Sequence, residues 1–152
     1  MTMTISDQYM AGLFDGEGCV SVIKRSSKGY VYHQVDVRIC MTSLAVLEAV
    51  QRTYGGNITA MKKQAAHHKQ NWHWYCQGDV AFAVLMRIRP FSIEKRPQIE
   101  LACRFHRAHQ LGLRFDRERV KQQLQWLKVD TTRRLVSKST VATQNKNQLK
   151  VA

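Results

Sequence analysis

The segment of residues 9–18, which reads YMAGLFDGEG, constrains the fold of this chain more than any other stretch. It begins with apolar and small residues that suit a helix and ends where acidic residues alternate with glycines. Gly12 and Gly16 are four residues apart, so both lie on one face of that helix. Glycines at this spacing let a second backbone approach closely. The glycine-rich end is expected to stop the helix in a tight turn.

Two acidic side chains, Asp15 and Glu17, lie at the predicted carboxyl end of this helix. The last carbonyl groups of a helix carry partial negative charge, so carboxylates there are unfavourable unless a cation joins them. Carboxylate and carbonyl oxygens together are the ligands that Mg²⁺ prefers. The pattern therefore indicates a divalent-cation site, against the simpler interpretation of a solvated turn.

The charge balance predicts a polyanionic partner. Among 152 residues, 24 are Lys or Arg and 11 are Asp or Glu, which gives a formal net charge of +13. Such an excess favours nucleic acid over a membrane surface, although a general RNA-binding protein would share it. The length and the 44% apolar content predict one folded domain over residues 1–130. Residues 131–152, with five basic and no acidic residues, form a separate basic tail.

No targeting or membrane signal is apparent in the sequence. It has no apolar run of about 18 residues and no amino-terminal signal pattern. We expect a soluble intracellular protein, in a bacterial or phage cytoplasm or inside an organelle, with no membrane partner. The four cysteines (19, 40, 76 and 103) lack CxxC pairing and are expected to be reduced thiols in the core.

Periodicity and capping signals predict an α+β domain of order αββαββα, followed by further helices. The expected strands cover residues 19–25, 30–40, 57–64 and 71–77. The first expected helix runs from a cap at Ser6 or Asp7 to about Gly16, and the second from Thr42 or Ser43 to Gly55. The third runs from a cap at Asp79 to Pro90. The last two run from Pro97 toward Gln110 and over residues 117–127. On the third helix, Val80, Ala83, Val84 and Ile88 are expected to form the apolar face. One face of the four-stranded antiparallel sheet carries helices and leaves the other free for a partner.

Residues 10–18 resemble, position by position, the signature of the LAGLIDADG homing endonucleases. Met10 stands where the signature usually begins with Leu, and Glu17 stands where it usually ends with Asp. The resemblance extends over roughly residues 7–110. It implies an intron-encoded, site-specific endonuclease that hydrolyses double-stranded DNA at a long pseudo-palindromic site with a divalent metal. The alternative within the same fold is an intron RNA maturase or a DNA-binding protein that does not cleave.

Only one copy of the motif is present, so the resemblance implies a homodimer. Members with a single motif pair their first helices, which here predicts an interface containing Ala11, Gly12 and Gly16, with Asp15 shaping the turn or bracing the partner subunit. The resemblance also implies that the Glu17 carboxylate and the Gly16 carbonyl hold Mg²⁺. Mn²⁺ is a substitute, as is Ca²⁺ without catalysis. A metal held in this way supports water activation and charge neutralisation in phosphodiester hydrolysis.

Lys95 is the second catalytic candidate, because it occupies the position of the family's basic residue in the stretch PFSIEKR. The alternative is an ordinary surface lysine. The chain departs from the family at Met41, where relatives often carry a polar residue that positions water, since a thioether cannot organise hydroxide well. Cys103, His106 and His109 have a spacing that resembles zinc ligands, but no second cluster completes a tetrahedron. A partly buried basic helix is the better interpretation of these three residues.

The resemblance also predicts a DNA-binding sheet whose outward side chains enter the major groove as a saddle. Arg25 and Arg38 are the best candidates for paired hydrogen bonds to guanine, and the basic tail is expected to contact phosphates. The predicted DNA contacts from the strands and turns are Ser21, Ile23, Arg25, Lys28, Tyr32, Gln34, Asp36, Arg38, Asn57, Thr59, Met61, Lys63, Asn71, His73 and Tyr75, with Arg133, Arg134 and Lys138 from the tail.

Overall fold

The structure, a computed structural model, describes residues 3–63, 65–114 and 116–129. It is an α+β fold with five helices and a four-stranded antiparallel sheet, as the sequence predicts. The elements are α1 (Asp7–Glu17), β1 (Gly18–Ser27), β2 (Tyr30–Met41), α2 (Leu44–Tyr54), β3 (Asn57–Ala60), β4 (Trp72–Gln77), α3 (Gly78–Ile88), α4 (Arg96–Gln110) and α5 (Arg117–Leu127). None of the described helices is long and apolar enough to cross a membrane.

The sheet has the strand order β1-β2-β4-β3, and its register separates an inner face from an open face. The inner face packs against the helices, and its side chains are buried: Val20, Val22, Val35, Val37, Ile39, Trp74 and Cys76. The open face is formed by the alternate positions, which are Cys19, Ser21, Ile23 and Arg25 of β1, Tyr32, Gln34, Asp36, Arg38 and Cys40 of β2, Asn57 and Thr59 of β3, and His73, Tyr75 and Gln77 of β4. The strict alternation of strand side chains produces this division.

The helix α1 begins as predicted, with the Ser6 side chain accepting a hydrogen bond from the backbone N–H of Tyr9. Its end differs from the prediction, because no tight turn follows Asp15. The helix continues through Glu17 and passes directly into β1 at Gly18, which has an extended backbone. A Cβ atom at Gly18 would lie 2.1 Å from the Phe14 ring. Glycine is therefore needed there to let the helix and the strand meet.

The apolar face of α3 was predicted incorrectly at two positions. Val80 and Ala83 are exposed, whereas Ala81, Val84, Leu85 and Ile88 are buried. The helix also begins earlier than expected, at Gly78, so Asp79 lies in its first turn and does not cap it. The buried face was predicted incorrectly because a helix of such high apolar content has more than one apolar face. Only packing against the sheet determines which of these faces is buried.

The second hairpin is shorter than predicted, and only two of the cysteines are buried. Met61, Lys63 and Asn71 lie in the connection between β3 and β4, although the backbone N–H of Met61 still donates to the Asn71 carbonyl over 2.9 Å. Cys76 and Cys103 are buried, and burial raises the pKa of Cys76 to about 12. Cys19 and Cys40 are exposed on the open face, which corrects the expectation of four core thiols.

A polar cluster ties the first three helices together. The Tyr54 hydroxyl donates to Asp7 Oδ1 over 2.6 Å, and Arg87 Nη2 lies 2.7 Å from the same oxygen. The Arg87 guanidinium also stacks over the Tyr54 ring at 4.2 Å. These contacts lower the pKa of Asp7, chiefly through the hydrogen bond from Tyr54 and then through Arg87.

We expect Asp7→Ala to lower the free energy of unfolding by about 1–3 kcal/mol at neutral pH. Because the folded pKa of Asp7 is depressed, this contribution is complete above the unfolded pKa near 3.8 and is lost as pH falls through the folded pKa below it. Urea unfolding of both proteins between neutral pH and about pH 3 measures the difference. Tyr54→Phe removes only the Tyr54 hydrogen bond and should cost less, since it keeps Arg87 beside Asp7 and the ring under Arg87. A difference in the free energy of unfolding between the wild type and Asp7→Ala that increases as pH falls would contradict a lowered pKa of Asp7.

Candidate active site and nucleic-acid interface

The carboxylate of Asp15 joins the end of α1 to the segment just before α4. It accepts hydrogen bonds from the Ser92 hydroxyl and from the backbone N–H groups of Ile93 (2.7 Å), Glu94 (3.3 Å) and Lys95 (3.1 Å). Burial alone would raise the pKa of Asp15, but these hydrogen bonds outweigh it and lower the pKa. Asp15 therefore organises a segment of its own chain about 80 residues away. Asp15 was expected to shape a tight turn after α1, whereas in the structure its carboxylate binds this distant segment.

The same arrangement brings Lys95 to the end of α1. Its Nζ donates to the Asp15 carbonyl and lies 5.9 Å from the centroid of the Phe14 ring. The side chain is half-buried, so it is more constrained than an ordinary surface lysine. Lys95 is thus held at a residue only two positions before Glu17, although the sequence separates the two candidates widely. An ammonium group has three donors, so two remain for other acceptors.

Glu17 is the last residue of α1 and is exposed. Within the described residues its carboxylate takes part in no ion pair and no hydrogen bond. An unpaired carboxylate beside the carbonyl end of a helix fits a hard cation, which needs oxygen ligands. The described part of the chain contains no group of three His, Cys, Asp or Glu side chains that could hold a metal by themselves. Any metal ion bound at Glu17 would therefore need ligands in addition to such side chains of one chain.

The glycine face of α1 is open. A Cβ atom placed on Gly12 or on Gly16 would meet nothing within 4 Å, and both residues are exposed. Ala11 is 0% exposed and packs into the core of its own chain, so its predicted place in a subunit interface is wrong. It was misassigned because it neighbours Gly12 in sequence, whereas adjacent helix positions point in different directions.

Most of the predicted DNA contacts lie on the open face. Arg25 and Tyr32 are exposed there, while Ser21, Ile23, Gln34, Arg38, His73 and Tyr75 are half-buried. Asn57 and Thr59 are exposed at the outer strand. Lys28 lies at the hairpin turn, where it and Gly29 both have positive φ, as a two-residue turn of type I′ requires. Arg133, Arg134 and Lys138 lie outside the described residues.

Asp36 is the exception on this face. It is 0% exposed, so its predicted contact with DNA is wrong, because a side chain without accessible surface presents nothing to a base. Its carboxylate pairs with Arg38 and also accepts from Gln77 Nε2 over 2.7 Å. Gln77 was not predicted as a site residue. Its position in the alternation of β4, opposite Asp36, is the signal that could have identified it.

The second hairpin places aromatic and polar groups next to the strand that carries Arg38. His73 Nδ1 lies 3.2 Å from Thr59 Oγ1, and the ring centroids of His73 and Tyr75 are 5.0 Å apart. Desolvation lowers the pKa of His73, and the nearby Arg38 charge lowers it further. Nδ1 is engaged with Thr59, and Nε2 is buried with no hydrogen-bond partner among the described residues, so the ring nitrogens of His73 are not presented to a base in this structure.

Two exposed thiols that the sequence analysis placed in the core lie close to Glu17. Gly18 pairs with Ile39, so Cys19 and Cys40 flank the junction of α1 and β1, and Lys128 Nζ lies 3.2 Å from Cys19 Sγ. Burial raises the pKa of Cys40, with a smaller contribution from the Glu17 charge. Met41 is half-buried and packs against the core. The Met41 thioether therefore contributes to packing, at the position where relatives often carry a polar residue that positions water.

The spacing of Cys103, His106 and His109 serves packing. Cys103 is buried, and the His106 ring stacks on Phe82 at 4.6 Å. His106 Nε2 lies 3.0 Å from Asp79 Oδ1. These contacts agree with the interpretation of a partly buried basic helix.

Comparison with known proteins identifies the fold. No protein-family model and no curated protein sequence matches the chain. Among solved structures, it resembles the homing endonuclease I-CvuI in complex with a DNA target, with a TM-score of 0.63 and 16% identity over 82% of this chain and 83% of that one. It also resembles the homing endonuclease I-TnaI, with a TM-score of 0.54 and 17% identity over 83% of this chain and 100% of that one.

A longer structure resembles this chain over part of its length. The LAGLIDADG homing endonuclease I-GzeII, in complex with its DNA target, aligns with a TM-score of 0.56 and 13% identity over 84% of this chain but 45% of that one. The fold of the chain is therefore that of the LAGLIDADG homing endonucleases. At these identities the likeness establishes the fold alone.

Proposed function

We propose that the protein is a site-specific endonuclease that hydrolyses double-stranded DNA as a homodimer with Mg²⁺. The observation that carries this proposal is the Asp15 carboxylate, which brings Lys95 to the helix end that bears Glu17. The Glu17 carboxylate has no ion pair with any residue of the described ranges. A carboxylate free to hold a cation and an ammonium group free to contact an anion are what phosphodiester hydrolysis requires. The open face beside them offers mixed donors and acceptors of the kind that read base edges.

The assignment of roles follows from the chemistry of each group. Glu17 and the Gly16 carbonyl would hold Mg²⁺, which when bound supplies an activated water and neutralises charge on the phosphate. Lys95 would donate a hydrogen bond to a phosphate oxygen as negative charge develops there. Asp15 fixes the backbone of residues 93–95, so Lys95 needs little reorganisation when the substrate binds.

Two observations support the homodimer: the described residues contain no group of three side chains that could hold a metal, and the glycine face of α1 is open. A twofold axis along the exposed side of Gly12 and Gly16 would bring two copies of Glu17 together and supply the missing oxygen ligands. The chain also matches only 45% of the longer I-GzeII chain. This coverage is expected if two copies of the present chain together correspond to the one longer chain.

A DNA-binding protein without cleavage, or an intron RNA maturase, is the second candidate. Met41 favours it, because the side chain packs against the core and offers no polar group to organise water. Incubation with Mg²⁺ and a DNA library, followed by sequencing of cut ends, separates the two candidates. Bound but uncut DNA, or binding to RNA alone, would favour the second.

We expect footprinting to show a protected site of about 18–22 base pairs with approximate twofold symmetry. β1 has 10 residues, which at ~3.3 Å each span about 33 Å. At ~3.4 Å per base pair this corresponds to about ten pairs for each subunit. A protected stretch of under about ten pairs would contradict the homodimeric arrangement, because it corresponds to a single open face.

A further inference from the structure

The open face contains one acidic side chain that is completely buried. Asp36 lies on β2, with Ser21 of β1 and Gln77 of β4 as its cross-strand neighbours. It is 0% exposed although its side chain points away from the core. Burial of an ionised carboxylate is unfavourable unless hydrogen bonds satisfy its oxygens. Asp36 is therefore expected to have a hydrogen-bond donor at each carboxylate oxygen.

Hydrogen bonds converge on this carboxylate from two sides. Gln34 Nε2 donates to Gln77 Oε1 over 3.0 Å, and Gln77 Nε2 donates to Asp36 Oδ1 over 2.7 Å. The other oxygen, Asp36 Oδ2, accepts from Arg38 Nε. Because Gln77 uses its carbonyl toward one neighbour and its amide toward the other, its orientation is determined. Each carboxylate oxygen of Asp36 then accepts one hydrogen bond.

This arrangement determines which donors of Arg38 remain available. A guanidinium group has five N–H donors in a rigid plane, and the single donor on Nε is occupied by Asp36. Within the described residues, the four donors on the terminal nitrogens have no hydrogen-bond partner, and the Arg38 side chain is 43% exposed. Paired hydrogen bonds from one arginine to guanine O6 and N7 are the commonest specific contact in the major groove. A guanidinium already held in place loses less conformational entropy on binding.

We propose that Asp36 and Gln77 are positioning residues that orient Arg38 for guanine and thereby set the base preference at that point of the DNA site. The proposal rests on the proposed function as a sequence-specific DNA-binding protein. Asp36 itself contacts no base. It acts only through Arg38, and Gln77 acts through Asp36.

The experiment measures equilibrium binding to the footprinted site in Ca²⁺, with each base pair replaced in turn. Arg38→Ala should lose about 5- to 150-fold discrimination at one or two adjacent pairs that contain guanine. Asp36→Ala should lose most of the same discrimination at the same pairs, because its Arg38 is no longer oriented. The double variant should match Arg38→Ala. Asp79→Ala, which removes an exposed carboxylate on α3, is the matched control and should keep the wild-type profile.

The pattern of loss distinguishes positioning from a general structural effect. A variant that only loosens the fold would lower affinity for all sequences alike and leave the preference profile unchanged. Retained discrimination in Asp36→Ala, or a loss at pairs that Arg38→Ala does not affect, would overturn the proposal while leaving the proposed function intact. A wild-type protein without base preference at any pair would overturn both.

Nuclear magnetic resonance of the DNA-free protein provides a second test. The Nε–H group of Arg38 should be protected from solvent exchange in the wild type and lose this protection in Asp36→Ala. Asp36→Asn, which retains an acceptor oxygen of similar placement, should restore part of the protection and part of the base discrimination. An Arg38 Nε–H that exchanges freely in the wild type would overturn the proposal whatever the DNA experiments show.

Discussion

Replacing Glu17 with glutamine is expected to abolish DNA cleavage while DNA binding is retained. The amide keeps the shape of the side chain but removes the negative charge that would hold Mg²⁺. The cleavage rate at the mapped site should fall by about 10³-fold or more, which corresponds to several kcal/mol of lost transition-state stabilisation. Affinity measured in Ca²⁺ should change little, because Glu17 lies at the end of α1 and is not among the strand positions of the open face. Single-turnover cleavage in Mg²⁺ provides the measurement.

Glu48→Gln is the matched control, since Glu48 is exposed on α2 and undergoes the same change of charge. This variant should cleave at the wild-type rate. Cleavage by Glu17→Gln at the wild-type rate in Mg²⁺ would show that the metal lies elsewhere. A loss of binding in parallel with cleavage would instead indicate that Glu17 supports the DNA interface.

A leucine at Gly12 is expected to separate the subunits without unfolding them. A side chain placed there meets nothing within its own chain, so the monomer has room for it. In a dimer paired through this face, each copy would overfill the interface at a cost of about 1–3 kcal/mol, or about 2–6 kcal/mol for both. The dimer dissociation constant should then rise by at least about 30-fold. Sedimentation equilibrium at several protein concentrations measures it.

Gln122→Leu, which adds the same side chain to an exposed position of α5, should leave the dissociation constant unchanged. Circular dichroism should show intact helices in both variants, since leucine has a higher helix propensity than glycine. A wild-type protein that sediments as a monomer at micromolar concentration would contradict the dimer. An unchanged constant for Gly12→Leu would place the interface on another surface.

Local patterns in the sequence were sufficient for the fold class. The alternation from residue 19 onward placed Val20 and Val22 on the inner face of the sheet, where both are buried. Residue type and position limited the cap of the first helix to Ser6 or Asp7, and the Ser6 side chain accepts the expected hydrogen bond. These predictions hold because strand and helix periods act over a few residues and depend little on distant parts of the chain.

The sequence predictions were wrong where contacts with a distant part of the chain determine which residues are buried. Val80 and Ala83 have the right apolar character for a core face, but the sheet packs against Ala81 and Val84 instead. Asp36 has the right alternation for an outward contact, yet its neighbours cover it completely. Alternation predicts the direction in which a side chain points, whereas the surrounding side chains decide whether it reaches solvent.

The sequence alone determined the α+β order, the two faces of the sheet and the candidates Glu17 and Lys95, whose roles remain predictions. Only the tertiary structure decided that Asp15 accepts hydrogen bonds from residues 92–95 and that Asp36 pairs with Arg38. The physical reason is the range of the interactions. Periodicity and capping depend on adjacent residues, but the partner of a carboxylate is whatever donor the packed chain brings within hydrogen-bond distance, which for Asp15 is up to 80 residues away.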